Sequence, residues 1–148
     1  MELDRYQPGS IAYTEYNALL TGDGTKTRLI AGNWSEAGYR EGVGADARFH
    51  DIGGFTQISE ELVIVADSGN YCLRQIDRTT RSTSVFGGQC RSYGNQDGRT
   101  GLFSNPRFLV IDKGDKNQLL IADSSNKAVR TVDVMSRAVG TFVKSDSL

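Results

Sequence analysis

The feature that most constrains this chain is that it repeats itself. Residues 65–77 read VADSGNYCLRQID, and residues 121–133 read IADSSNKAVRTVD. Asp67 recurs as Asp123, 56 positions on (123 − 67). The same offset carries Ala66 to Ala122, Ser68 to Ser124, Asn70 to Asn126, Arg74 to Arg130 and Asp77 to Asp133. It carries Gly38 to Gly94 and Gly42 to Gly98, and it lays Leu29-Ile30-Ala31-Gly32 over Val85-Phe86-Gly87-Gly88. Self-similarity at a fixed period of tens of residues marks architectures that stack one supersecondary unit on the next.

Each unit has the same internal order. A glycine-rich loop (residues 38–46 or 94–100) leads to an aromatic, Phe49 or Phe103. A first strand is expected near residues 54–58 or 107–111, and an apolar, β-branched second strand over 62–66 or 119–122. Asp-Ser-Gly-Asn and Asp-Ser-Ser-Asn then supply turn chemistry, because Asp and Asn tolerate left-handed backbone and cap turns locally. Third strands come next at 71–77 or 128–133, and fourth strands at 83–87 or 138–143. No segment has helical periodicity. Four short antiparallel strands per repeat make a β-propeller blade; a sandwich, the competing all-β reading, would not require such self-similarity. Ahead of the two units, 16–21 and 25–32 flank Gly22-Asp23-Gly24 as the last hairpin of an earlier blade. The chain thus divides into an N-terminal segment (1–15), that hairpin (16–32), a first complete blade (33–88) and a second (89–148), about two and a half blades in one domain.

Loop glycine, aromatic, apolar strand, then Val65-Ala66-Asp67-Ser68-Gly69-Asn70 and Leu73-Arg74-Gln75-Ile76-Asp77 resemble the NHL repeat over residues 28–143. The second copy departs at Ser125, which replaces the turn glycine, and in the longer loop 113–118. NHL propellers are usually six-bladed, so the resemblance implies more blades than the chain holds. Those would come from a longer chain of which this is a part, or from further copies closing a ring. The first five residues, Met1-Glu2-Leu3-Asp4-Arg5, have no apolar core and are no signal peptide. Either the native start is missing or the protein stays inside the cell.

Net charge is −1 at pH 7, which lacks the electrostatic footprint of a nucleic-acid binder. No run is long and apolar enough for a membrane span. Cys72 and Cys90 lie equally far from Arg81, in the turn-like segment Thr79-Thr80-Arg81-Ser82-Thr83. In a hairpin centred there they face each other within disulfide reach; two unrelated buried thiols are the alternative. With no CxxC and only His50 available, a zinc site is disfavoured. A disulfide implies a secreted or lumenal location, and the sequon Asn33-Trp34-Ser35 makes Asn33 a candidate glycosylation site consistent with it.

Asp67 and Asp123 read as turn residues. The repeated pairs Arg74 with Asp77 and Arg130 with Asp133 read as structural ties between strands or blades. Gly42-Val43-Gly44-Ala45-Asp46-Ala47 has a nucleotide-loop look but opens no helix. Glu41, Asp46, Asp51 and Asp97 share no constellation, so no catalytic residue, metal ligand or cofactor is assigned. The residues that break the repeat are more telling: Trp34, Tyr39 and Arg40 in the first long loop, Arg91, Tyr93 and Arg99 in the second. Exposed aromatics and arginines dominate binding hot spots, and rim loops of a ring form a natural binding surface. The expected function is a non-catalytic extracellular or lumenal interaction module presenting that rim to a protein or glycan. The alternative implied by related six-bladed propellers is a fragment of a metal-dependent lyase or hydrolase.

Overall fold

Asp67 and Asp123 each end a strand, and the next three residues (Ser68–Asn70, Ser124–Asn126) close a single 3-10 turn. The chain then reverses through a left-handed residue, Tyr71 (φ 64) or Lys127 (φ 51). These reversals join the central strands of two sheets in a computed structural model that describes residues 10–145.

Those residues form three antiparallel meanders. The first holds β1 (Ile11–Glu15), β2 (Ala18–Gly22) and β3 (Thr27–Gly32). The second holds β4 (Gly42–Val43), β5 (Ile52–Gln57), β6 (Leu62–Asp67), β7 (Cys72–Asp77) and β8 (Ser82–Gly87), in the order β4-β8-β7-β6-β5. The third holds β9 (Pro106–Ile111), β10 (Gln118–Asp123), β11 (Ala128–Asp133) and β12 (Val139–Lys144), in the order β12-β11-β10-β9. Glycine-rich loops add a short pairing outside each fourth strand: Gly42 meets Thr83, and Gly98 meets Val139.

The first sheet is larger than the hairpin expected from residue 16. Its reversal passes through left-handed Tyr16 (φ 50), in the manner of Tyr71 and Lys127, and β1 precedes it. Aligned on that turn, β1, β2 and β3 are the second, third and fourth strands of a blade.

Strand β6 is buried on both faces. Val63 and Val65 share one core with Leu19, Ile30, Ala31, Phe49, Ile52 and Ile76. Ile64 and Ala66 share the other with Leu73, Phe86, Phe103, Leu109, Leu119, Ile121, Val132 and Val139. Alternation along one strand thus joins the second sheet to both neighbours. First strands β5 and β9 run close together: a Cβ on Gly53 would lie 2.5 Å from the carbonyl oxygen of Arg107, so no larger residue fits there.

Polar latches reinforce the stacking. Arg81 (φ 63) donates through Nε to the carbonyl of Ile30 at 3.1 Å and through Nη2 to that of Leu29 at 3.0 Å. Arg137 (φ 65), 56 positions later (137 − 81), donates to Gln75 Oε1 at 3.2 Å and sets its guanidinium 3.9 Å from the Phe86 ring centre. The second sheet thus grips β3 of the first, and the third sheet grips β7 and β8 of the second.

The third sheet's outward face has no such cover among the described residues. Phe86 is 2% exposed, whereas its counterpart Phe142 is 68% exposed. Ile64 and Ala66 are fully buried, whereas Leu120 and Ala122 are half-buried, with exposed Val110 and Phe108 opposite them on β9.

Candidate functional site

The site is built on the repeated Asp and Arg. Asp67 Oδ1 accepts the His50 amide at 2.8 Å, and Oδ2 accepts Asn70 Nδ2 and Arg74 Nη1, both at 2.8 Å. Arg74 also donates to the carbonyls of Arg48 (3.1 Å) and Arg40 (2.9 Å), and Asn70 to that of Gly38 (2.9 Å). The side chains of Asp67 and Arg74 have no exposed surface. Burial pushes the Asp67 carboxyl above its ordinary range, opposed by the His50 amide, Asn70 and Arg74. The repeat copies the arrangement: Asp123 receives Asn105, Asn126 and Arg130, while Arg130 holds the carbonyls of Leu102 and Gln96. The pair therefore clamps the glycine-rich loop of its own blade.

This corrects the expected pairing of Arg74 with Asp77 and of Arg130 with Asp133. Residues three apart on a strand point to opposite faces. Asp67 lies opposite Cys72, on the face that Arg74 shares. Asp77 instead accepts the amides of Thr79 and Thr80, and Asp133 those of Met135 and Ser136.

The clamp presents Tyr39. Its ring lies 4.7 Å from the Arg74 guanidinium, which faces Phe49 at 5.0 Å, and 5.9 Å from the Arg91 guanidinium. Arg91 is left-handed (φ 68), and its amide donates to the Asn70 carbonyl at 2.7 Å. Tyr93, 71% exposed, meets Tyr71 edge-on with ring centres 5.5 Å apart. Tyr39, Arg91 and Tyr93 thus belong to one patch, which also recruits Tyr71. Tyr71 does not stand out in the sequence because it sits inside the repeat; its signal is the contrast with Lys127 at the same turn position.

The disulfide between Cys72 and Cys90 is formed, with Cα atoms 4.9 Å apart. The hairpin geometry offered for it is not what brings the cysteines together. The ladder sets Ile76 against Thr83 and Arg74 against Val85, then slips at a bulge and ends at Leu73–Gly87. Cys90 lies beyond it and returns because the chain turns at left-handed Gly88 (φ 79).

The remaining candidates lie elsewhere on the loops. Trp34 is 61% exposed, and its carbonyl accepts Asn17 Nδ2 at 3.5 Å. Arg40 is exposed, and its backbone pairs with Arg48. Arg99 is exposed on the turn between Gly98 and Gly101, beside β12. Asn33 Oδ1 accepts both the amide and hydroxyl of Ser35 at 3.0 Å. Asp51 pairs with Arg107 at 3.0 Å, and Asp97 with Arg130 at 3.0 Å. Gly42–Val43 is an edge strand leading into a 3-10 turn. His50 packs so closely on Gly69 that a Cβ there would lie 2.6 Å from its ring. Among the described residues, no three of His, Cys, Asp and Glu gather to hold a metal, and no helix is long and apolar enough to cross a membrane.

Antiparallel sheets repeated along the chain and stacked by their faces define a stretch of a β-propeller. The chain is similar to NHL repeat-containing protein 2 of Bos taurus, at 29% identity over 133 residues, 81% of this chain and 18% of that protein. It therefore spans less than a fifth of that relative's length. No family model matches it. Two solved structures from Bacteroides thetaiotaomicron share the fold. An auxiliary nutrient binding protein superposes at TM-score 0.72 and 20% identity, over 93% of this chain and 36% of that one. A structural genomics protein of unknown function superposes at TM-score 0.66 and 18% identity, over 89% of this chain and 31% of that one.

Proposed function

We propose that this chain is the recognition part of an extracellular or lumenal NHL-type propeller, which binds a protein or glycan through the patch formed by Tyr39, Tyr71, Arg91 and Tyr93. The observation that carries the reading is the departure from the repeat. Asp67, Asn70 and Arg74 recur as Asp123, Asn126 and Arg130 and hold the loops, whereas Tyr39, Arg91 and Tyr93, carried on those loops, do not recur. Tyrosines with little rotamer freedom beside an arginine suit a binding hot spot. Trp34, Arg40 and Arg99 extend the same loops. The disulfide supports an oxidising compartment, and a glycan on Asn33 would fit it. The uncovered face around Phe142 would take a further sheet, from a longer chain or a second copy.

Screening the oxidised protein on a glycan array and a displayed-peptide library tests the proposal. Ligands retained by the wild type should lose at least about tenfold in affinity with Tyr93→Ala or Arg91→Ala, roughly the 1.4 kcal/mol that one hot-spot contact supplies. Ligands indifferent to both substitutions would place recognition elsewhere.

A further inference from the structure

We infer that the Cys72–Cys90 disulfide positions the recognition patch, and that the propeller stack does not need it. The inference rests on the reading of Tyr39, Tyr71, Arg91 and Tyr93 as a binding surface, and it names what holds that surface in shape.

The repeat supplies its own control. Position 72 is occupied by Ala18 at the start of β2 and by Ala128 at the start of β11, and the sequence has only two cysteines. The strand end that the disulfide spans is nonetheless built in the first sheet too. Gly32 (φ 95) and Gly88 (φ 79) turn the chain in the same left-handed way. A Cβ on either would press on a phenylalanine ring, Phe49 at 2.9 Å or Phe103 at 2.8 Å, and would sit beside the start of the third strand, Ala18 or Cys72. The turn, the aromatic beneath it and the ladder therefore form with alanine in place of Cys72.

The two copies diverge after the turn. Trp34 stands two residues after Gly32, where Cys90 stands two residues after Gly88. The Trp34 segment is tied back by the Asn17 side chain at 3.5 Å. The segment after Cys90 is bonded covalently to β7, and its next amide reaches Asn70 at 2.7 Å. Arg91 then adopts the left-handed conformation that L-residues avoid. That conformation is held on one side by the disulfide and on the other by the hydrogen bond to Asn70. It turns the guanidinium toward Tyr39 and delivers Tyr93, two residues on, to the edge of Tyr71. Because Tyr71 immediately precedes Cys72, the disulfide ties together the two chain segments that carry Tyr71, Arg91 and Tyr93. Cys72 and Cys90 are thus positioning residues, acting through Tyr71, Arg91 and Tyr93.

Amide hydrogen exchange followed by NMR on the Cys72→Ala/Cys90→Ala chain tests this. The variant should fold, with the amides of β6 and β10 keeping the slow exchange of core strands. Protection of the Arg91 amide should fall by about tenfold or more relative to theirs, as expected when opening becomes local, and contacts between the Tyr71 and Tyr93 rings should vanish. An unfolded variant overturns the inference, because the stack would then need the disulfide. A folded variant that keeps Arg91 protection and the ring contacts overturns it as well. None of these readouts involves a ligand, so failure here is separable from failure of the binding proposal.

Discussion

Replacing Asp67 by alanine removes the anion that neutralises Arg74 without removing the arginine. Arg74 has no exposed surface, and the acceptors left to it are two backbone carbonyls, Arg40 and Arg48. The His50 amide and Asn70 Nδ2 lose their carboxylate at the same time. Breaking a buried pair from one side costs about 3–5 kcal/mol, a large share of the roughly 5–15 kcal/mol that holds a typical domain. Arg74→Ala should cost less for its charge, because the Asp67 carboxyl, already pushed up by burial, is relieved by taking a proton. Equilibrium urea unfolding, followed by far-ultraviolet circular dichroism, gives the single and double variants. Their cycle should show a coupling of about 2 kcal/mol or more. Asp77→Ala is the control, since its carboxylate accepts amides of an exposed turn, and it should cost under about 1 kcal/mol. An Asp67→Ala loss no larger than that of Asp77→Ala would refute the reasoning, and with it the claim that the Asp–Arg pair clamps the loop bearing Tyr39.

Phe86→Ala should destabilise the chain by about 3–5 kcal/mol, because Phe86 fills the core between the second and third sheets. Phe142→Ala should cost under about 1 kcal/mol by the same unfolding assay, since its ring is largely in solvent; equal losses would show that the face around Phe142 is already covered. Asp23 is held at about 2 by the Thr25 hydroxyl and the amides of Thr25 and Lys26. A depressed carboxylate stabilises above its unfolded value, about 3.9, and loses that contribution as pH falls through about 2. Thermal unfolding of Asp23→Asn should therefore show a shallower fall in stability over that window than the wild type.

The second, third and fourth strands of both complete blades were legible because apolar, β-branched runs alternate with Asp-Ser-x-Asn turns, and because the two copies reinforce each other. Strand β1 was not, since Ile11–Glu15 precedes a turn, Tyr16-Asn17, that lacks that tetrapeptide. The cysteine pairing was correct while its geometry was not, because the bulge beside Leu73 and the reversal at Gly88 leave no mark on a count of positions. The partner of Arg74 was misassigned by sequence proximity, although strand alternation already separates residues 74 and 77. The latches of Arg81 and Arg137 were missed although the two residues share the repeat offset, because a cation in a polar turn looks like solvent-exposed surface until the neighbouring sheet is placed behind it. In the patch, Tyr39, Arg91 and Tyr93 stood out by breaking the repeat; only the fold shows that Tyr71 completes them.

The central claim is that the two Ala-Asp-Ser segments lie in separate, equivalent sheets stacked face to face. Nuclear Overhauser contacts in the isotopically labelled protein read this directly. Side-chain contacts from Ile64 to Leu119 and Ile121, with backbone contacts between Gly53 and Arg107, are the predicted result. A continuous backbone ladder between β6 and β10, placing both segments in one sheet, would contradict it.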